Sequence, residues 1–186
     1  MEEPSYAALQ REVQRKLGRC LIVIQQYELL LKEFLAKREI PGVLSSFPEK
    51  LAENVSAVAT NTMGQLVGEL TKEYFQPASP EPVQYQTAPS PVEAENPEVW
   101  FSIRLRVSMT LDAHAQLKTD LQELVDMRND LVHHFVEGQD LMSDEGCIAA
   151  DMYLEYCYAE IDRHWVVLQD WAASMTEAKQ AAASYI

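Results

Sequence analysis

Residues 128–135, RNDLVHHF, and the apolar residues that precede them indicate that this chain is helical. Counting back from Phe135, apolar side chains recur every three or four residues, which is the spacing of one face of an α-helix. The members of this face are Leu117, Leu121, Leu124, Val125, Leu131, Val132 and Phe135. Arg128 falls near the centre of the same face, where an apolar residue is expected. Because a buried charge without partners is costly, Arg128 predicts either a polar site or an ion pair.

Length and charge limit the classes of protein to consider. A chain of 186 residues predicts one domain, residues 1–186, with enough apolar sequence for a hydrophobic core. Its net charge of −14 repels nucleic-acid phosphates at long range, which argues against a protein that coats DNA or RNA generally. One locally basic site is still compatible with this charge.

The cysteines and the N-terminus predict a cytoplasmic protein. Cys20, Cys147 and Cys157 are odd in number and lack CxxC spacing, so reduced core thiols are expected. The first residues, MEEPS, have no basic and apolar signal sequence. The apolar run at residues 20–24 is too short to span a bilayer. The four histidines and three cysteines show no metal-ligand spacing, so neither a metal nor a cofactor is expected.

The remaining pattern is mostly helical. Residues 5–38 predict one long helix that ends at Pro41 and Gly42. Shorter helices are predicted at 48–59 and 63–75, and the helix that carries RNDLVHHF is predicted to run to about Gly138. Ser143 has the character of an N-cap for a final long helix. Along both long helices apolar positions recur every three or four residues, at Val13, Leu17, Cys20, Ile24, Tyr27, Leu31 and Phe34 and at Leu154, Cys157, Ile161, Trp165, Leu168, Ala172 and Met175. These elements predict an all-α fold, a four- or five-helix bundle built from helix pairs that could run antiparallel.

One interruption separates the helices. Prolines concentrated between residues 76 and 98 exclude a long helix and predict a proline-rich loop. Residues 99–109 then alternate between two faces, which predicts a short strand. Its nearest candidate partner is the segment at 83–86, so a small β-hairpin beside the bundle is expected.

Helical geometry limits how the polar residues can cooperate. On a regular helix, five residues turn roughly 500°, so Arg128 and His133 point about 140° apart. Asn129 and His133 lie one turn apart on the same side. A site shared by Arg128 and His133 is therefore predicted to need either a bent Arg side chain or a second chain across a two-fold axis.

Arg128 and His133, with Asn129 directly after the Arg, form an Arg-x4-His motif near the end of an amphipathic helix. This resembles the HEPN superfamily (higher eukaryotes and prokaryotes nucleotide-binding), whose motif is Arg-x(4–6)-His. The wider chain is similar to the helical region that precedes OST-HTH/LOTUS domains in some bacterial proteins. That likeness is carried by QRKLGRC at 14–20, ELVDMRNDLVHHF at 123–135 and DEGC at 144–147.

The resemblance implies a metal-independent endoribonuclease of toxin or defence type that acts on RNA as a homodimer. His133 would handle protons, Arg128 would bind phosphate oxygens, and Asn129 would orient either the phosphate or His133. Many family members have a Tyr two residues after the His, whereas this chain has Phe135. The resemblance implies a cognate antitoxin or a nucleotidyltransferase protein as a partner. It does not imply binding to a membrane.

Two alternatives compete with this hypothesis. Arg128 could form a structural pair with Asp126, Glu123 or an acid on the last helix, since the chain holds 29 Asp and Glu. The whole chain could instead be a catalytically inactive acidic helical module for dimerisation or as an adaptor, in an RNA-related or toxin–antitoxin system. His134 projects elsewhere and predicts a surface or packing residue. The acidity favours the adaptor, and the motif favours the nuclease.

Overall fold

The computed structural model describes residues 5–78, 100–104 and 106–183, and this part of the chain is mostly helical. The α-helices are α1 (Tyr6–Ala36), α2 (Phe47–Val58), α3 (Met63–Glu69), α4 (Leu111–Asn129), α5 (Phe135–Gly138) and α6 (Asp144–Ala183). Short 3-10 and π turns are Leu44–Ser46, Leu70–Tyr74 and Asp130–His134. The strands are β1 (Glu39–Val43), β2 (Phe75–Pro77), β3 (Trp100–Arg104) and β4 (Val107–Met109). The all-α prediction is thus confirmed at the level of a mostly helical chain.

The fold divides into two compact units. The first contains Met1–Tyr27 and Leu124–Ile186, and the second contains Glu28–Glu123. The prediction of one domain over residues 1–186 stays a prediction. Among the described residues, no helix combines the length and the apolar character needed to cross a membrane.

In the first unit, α1 and α6 pack side by side with their chains parallel. The Cys20 thiol lies 3.7 Å from the Leu154 carbonyl oxygen, and the rings of Tyr27 and Trp165 have centroids 6.3 Å apart. Near the other end of the pair, Ser5 Oγ donates to the Asp144 carboxylate at 3.0 Å. Residue numbers rise together along both helices, so this pair is parallel, whereas the sequence predicted only that helix pairs could run antiparallel.

The predicted three-and-four stripes form this core. Val13, Cys20 and Ile24 of α1 are buried, as are Leu154, Cys157, Ile161 and Leu168 of α6. At the edge of the core, Lys16 Nζ contacts the carboxylates of Asp151 and Glu155 at 2.7 and 2.5 Å. Burying apolar surface on both helices contributes about 25 cal/mol per Å², so these stripes are the main source of cohesion in this unit.

The second unit contains two small sheets that differ from the predicted hairpin. β3 pairs antiparallel with β1, so that Ile40 lies opposite Ile103, and β4 pairs parallel with β2. The alternating segment at 99–109 therefore forms two strands with separate partners that are distant in sequence. Pro41 is tolerated in β1 because an edge strand need not donate every amide. The predicted partner at 83–86 lies outside the described residues, as does most of the proline-rich loop at 76–98.

The helix predicted at 63–75 begins as expected but ends differently. Thr62 caps it through a reciprocal capping box with Gln65. Residues Leu70–Tyr74 form a π turn, and Phe75 already belongs to β2. His114 Nε2, on α4, lies 2.9 Å from the carbonyl oxygen of Thr71 in this turn. A carbonyl displaced from the α-helical ladder needs another donor, and His114 supplies it.

A network of hydrogen bonds forms the start of α6, as the N-cap prediction for Ser143 requires. The Gly146 amide donates to Ser143 Oγ at 3.1 Å. Ser143 Oγ in turn donates to the Asp140 carboxylate at 2.8 Å, and the Met142 amide donates to the same carboxylate at 3.1 Å. The hydrogen bond from Ser143, followed by that from Met142, lowers the pKa of Asp140 from its ordinary value of 3.8.

This lowered pKa predicts a pH-dependent contribution to stability. An acid whose folded-state pKa is depressed stabilises the fold above its unfolded pKa and loses that contribution as pH falls through the folded value. We therefore expect Asp140→Asn to lower the thermal midpoint at neutral pH, with a difference from the wild type that shrinks below about pH 4. Thermal unfolding followed by circular dichroism from about pH 6 to about pH 3 measures this. A constant difference across that range would contradict the assignment.

Candidate functional site

The polar residues of the RNDLVHHF segment lie at the end of α4 and in the π turn that follows it. Arg128 and Asn129 are the last two residues of α4, and His133 belongs to the turn Asp130–His134. Leu124, Leu131 and Phe135 on either side are buried and fix the segment in the first unit. Arg128 itself is half-buried, whereas Asn129 and His133 are exposed.

The π turn changes the register that a regular helix would give. In a π turn each amide bonds to the carbonyl five residues back, so residue i+5, rather than i+4, lies above residue i. This brings His133 onto the same side as Arg128. On a regular α-helix the two side chains would point about 140° apart. Val132, predicted on the apolar face, is 45% exposed.

Arg128 contacts both of the other candidate residues, Asn129 and His133, within a single chain. Its Nη1 lies 3.3 Å from Asn129 Oδ1 and 3.4 Å from His133 Nε2. A guanidinium only donates hydrogen bonds, so this contact places His133 Nε2 in the acceptor position. Both distances are at the long end for hydrogen bonds, so the guanidinium is held loosely. The geometric reason for requiring a second chain therefore does not hold.

His134 points away from this cluster, as predicted. Its side chain is 66% exposed, and its Nδ1 lies 3.6 Å from the Glu137 carboxylate. The rings of His133 and His134 are 6.3 Å apart at a steep angle, so the two imidazoles do not share a face. His134 thus provides a chemically matched neighbour that lies outside the Arg128 cluster.

The π turn is supported from α6 by Tyr153. Its phenol donates a 2.6 Å hydrogen bond to Asp130 Oδ2, and its ring stacks on Phe135 with centroids 6.5 Å apart. Burial, followed by the hydrogen bond to Asp130, raises the pKa of Tyr153, so the phenol remains a donor at neutral pH. Tyr153 is half-buried, and the sequence does not single it out, because its partners Asp130 and Phe135 lie about twenty residues earlier on another segment.

His164 is only 6% exposed, and its Nε2 lies 3.1 Å from the Arg163 guanidinium. Within residues 5–78, 100–104 and 106–183, no cluster of His, Cys, Asp and Glu could hold a metal ion. Burial raises the pKa of Cys20 to about 11 and also raises that of Cys157, so neither thiol is an activated nucleophile.

Comparison of the chain with protein-family models, with curated proteins and with solved structures gives no match.

Proposed function

We propose that this protein is a HEPN-like, metal-independent endoribonuclease of toxin or defence type that acts on RNA as a homodimer. The observation that carries the proposal is the 3.4 Å contact between Arg128 Nη1 and the exposed His133 Nε2 across the π turn. An unprotonated imidazole nitrogen beside a permanent cation combines a proton acceptor with a phosphate-binding group. The proposal includes a HEPN-like arrangement of the helices and either an antitoxin or a nucleotidyltransferase protein as partner.

The proposed reaction is attack of a ribose 2′-oxygen on the neighbouring phosphorus. His133 Nε2 takes the proton of the 2′-hydroxyl, and the new bond to phosphorus forms as the bond to the 5′-oxygen breaks. The 5′-oxygen leaves with a proton, and the products carry a 2′,3′-cyclic phosphate and a 5′-hydroxyl. Arg128 would turn its donors from His133 to the phosphate oxygens, which both frees Nε2 and stabilises the developing negative charge.

Asn129 supports this arrangement. Its Oδ1 accepts from the same Nη1 that contacts His133, so it limits the directions in which the loosely held guanidinium can point. In a homodimer His133 of the second copy, in its protonated form, would give its proton to the leaving 5′-oxygen. Arg128 and His133 already meet within one chain, so we assign the second chain to this proton transfer and not to completing the pair.

The test is incubation of the purified chain with total RNA, with and without a metal chelator. We expect cleavage that persists in the chelator and leaves cyclic phosphate and 5′-hydroxyl ends. Sedimentation at the assay concentration measures the oligomeric state. RNA that stays intact under all of these conditions would exclude the nuclease.

The net charge of −14 favours a second candidate, an inactive acidic module for dimerisation or as an adaptor. In that case Arg128 and Asn129 would form a polar contact between chains, and RNA would neither bind nor be cut. A chain that dimerises, leaves RNA intact and becomes monomeric as Arg128→Ala would establish this function.

A further inference from the structure

One side chain contacts both ends of the π turn. Tyr153 of α6 bonds through its hydroxyl to Asp130, the first residue of the turn, and stacks its ring on Phe135, the residue that follows the turn. His133 lies between these two attachment points. A charge-assisted bond at one end and an aromatic contact at the other hold the segment at a fixed distance along α6.

The register of the turn decides whether Arg128 and His133 meet. π turns are rare, and the same residues wound as a regular α-helix would point Arg128 and His133 about 140° apart. The π register therefore needs contacts that the α register would lose. An α-helical segment would rotate Phe135 and shift it along the axis relative to Asp130, so it could not satisfy both contacts with Tyr153 at once.

We propose that Tyr153 is a positioning residue that holds the π turn at 130–134 and thereby keeps His133 within reach of Arg128. It acts through Asp130, to which its hydroxyl donates, and through Phe135, on which its ring stacks. Its relevance to catalysis rests on the proposed function, but its effect on the turn does not.

The test uses Tyr153→Phe, which keeps the ring on Phe135 and removes only the hydroxyl. We expect kcat for RNA cleavage to fall about tenfold with KM nearly unchanged, since the loss corresponds to one charge-assisted hydrogen bond that aligns the reacting groups. Asp130→Ala should have a similar effect. Asp130→Asn, which keeps an oxygen acceptor, should recover part of the loss.

Tyr156→Phe is the matched control, because Tyr156 lies on the same helix and is 59% exposed. It should leave kcat unchanged. A Tyr153→Phe chain with wild-type kcat, in a protein whose cleavage depends on Arg128 and His133, would overturn the positioning role while leaving the proposed function intact.

Amide hydrogen exchange tests the same inference without any cleavage assay. In Tyr153→Phe we expect faster exchange at residues 130–135, with the protection of α1 and of the rest of α6 preserved. If the wild type does not cut RNA, this local loss of protection still supports the inference. Unchanged exchange at 130–135 would overturn it.

Discussion

RNA cleavage by the Arg128→Ala and His133→Ala chains is expected to fall at least about 100-fold below the wild type, because in the proposed reaction each removes a group that acts directly on the reacting atoms. In that reaction Arg128 supplies the cation for the phosphate, and His133 supplies the proton acceptor. Asn129→Ala should have a smaller effect, since Asn129 acts only through the guanidinium. Initial rates on a short labelled RNA, at saturating and at limiting substrate, measure these losses.

His134→Ala is the control for this series. It removes the same side chain one residue away, at an exposed position outside the Arg128 cluster. We expect a rate within about twofold of the wild type, as for an exposed substitution away from the site. Cleavage that survives undiminished in both Arg128→Ala and His133→Ala would reject the catalytic assignment and point to a contaminating nuclease.

The largest expected change in stability is that of Gly146→Ala. A Cβ built at Gly146, in the first turn of α6, would overlap the backbone carbonyl of Asp140. The obstacle is backbone, so relief requires moving either the 138–143 connection or the helix itself. We expect a loss of roughly 3 kcal/mol in the free energy of unfolding, or about 10 °C in the thermal midpoint.

Gly18→Ala makes the same chemical change as Gly146→Ala but is expected to raise the stability instead of lowering it. Gly18 lies within α1, and a Cβ there meets nothing within 4 Å. Alanine in a helix interior is favoured over glycine by about 0.5–1 kcal/mol, so this variant should be slightly more stable. Thermal and urea unfolding of both variants checks the pair. Equal midpoints for Gly146→Ala and the wild type would show that the start of α6 is not packed as described.

Periodicity was informative wherever the helices are regular. The three-and-four spacing along α1 identified Val13, Cys20 and Ile24, which are buried. It succeeded because a helix with one buried face carries apolar residues at every third or fourth position along that face. It could not give the direction of the α1–α6 pair, since helical spacing is the same whichever way a neighbouring helix runs. It also missed β1, whose partner β3 lies about sixty residues further along the chain.

For the candidate site, the sequence by itself supplied the candidate residues: an Arg, an Asn and a His at fixed spacing on an amphipathic helix. Only the tertiary structure decided that Arg128 and His133 meet within one chain. The physical reason is that the α-helical and π-helical registers can be formed by the same residues, so the spacing of apolar residues does not distinguish them. The π register is selected by contacts from another helix, above all those of Tyr153 with Asp130 and Phe135.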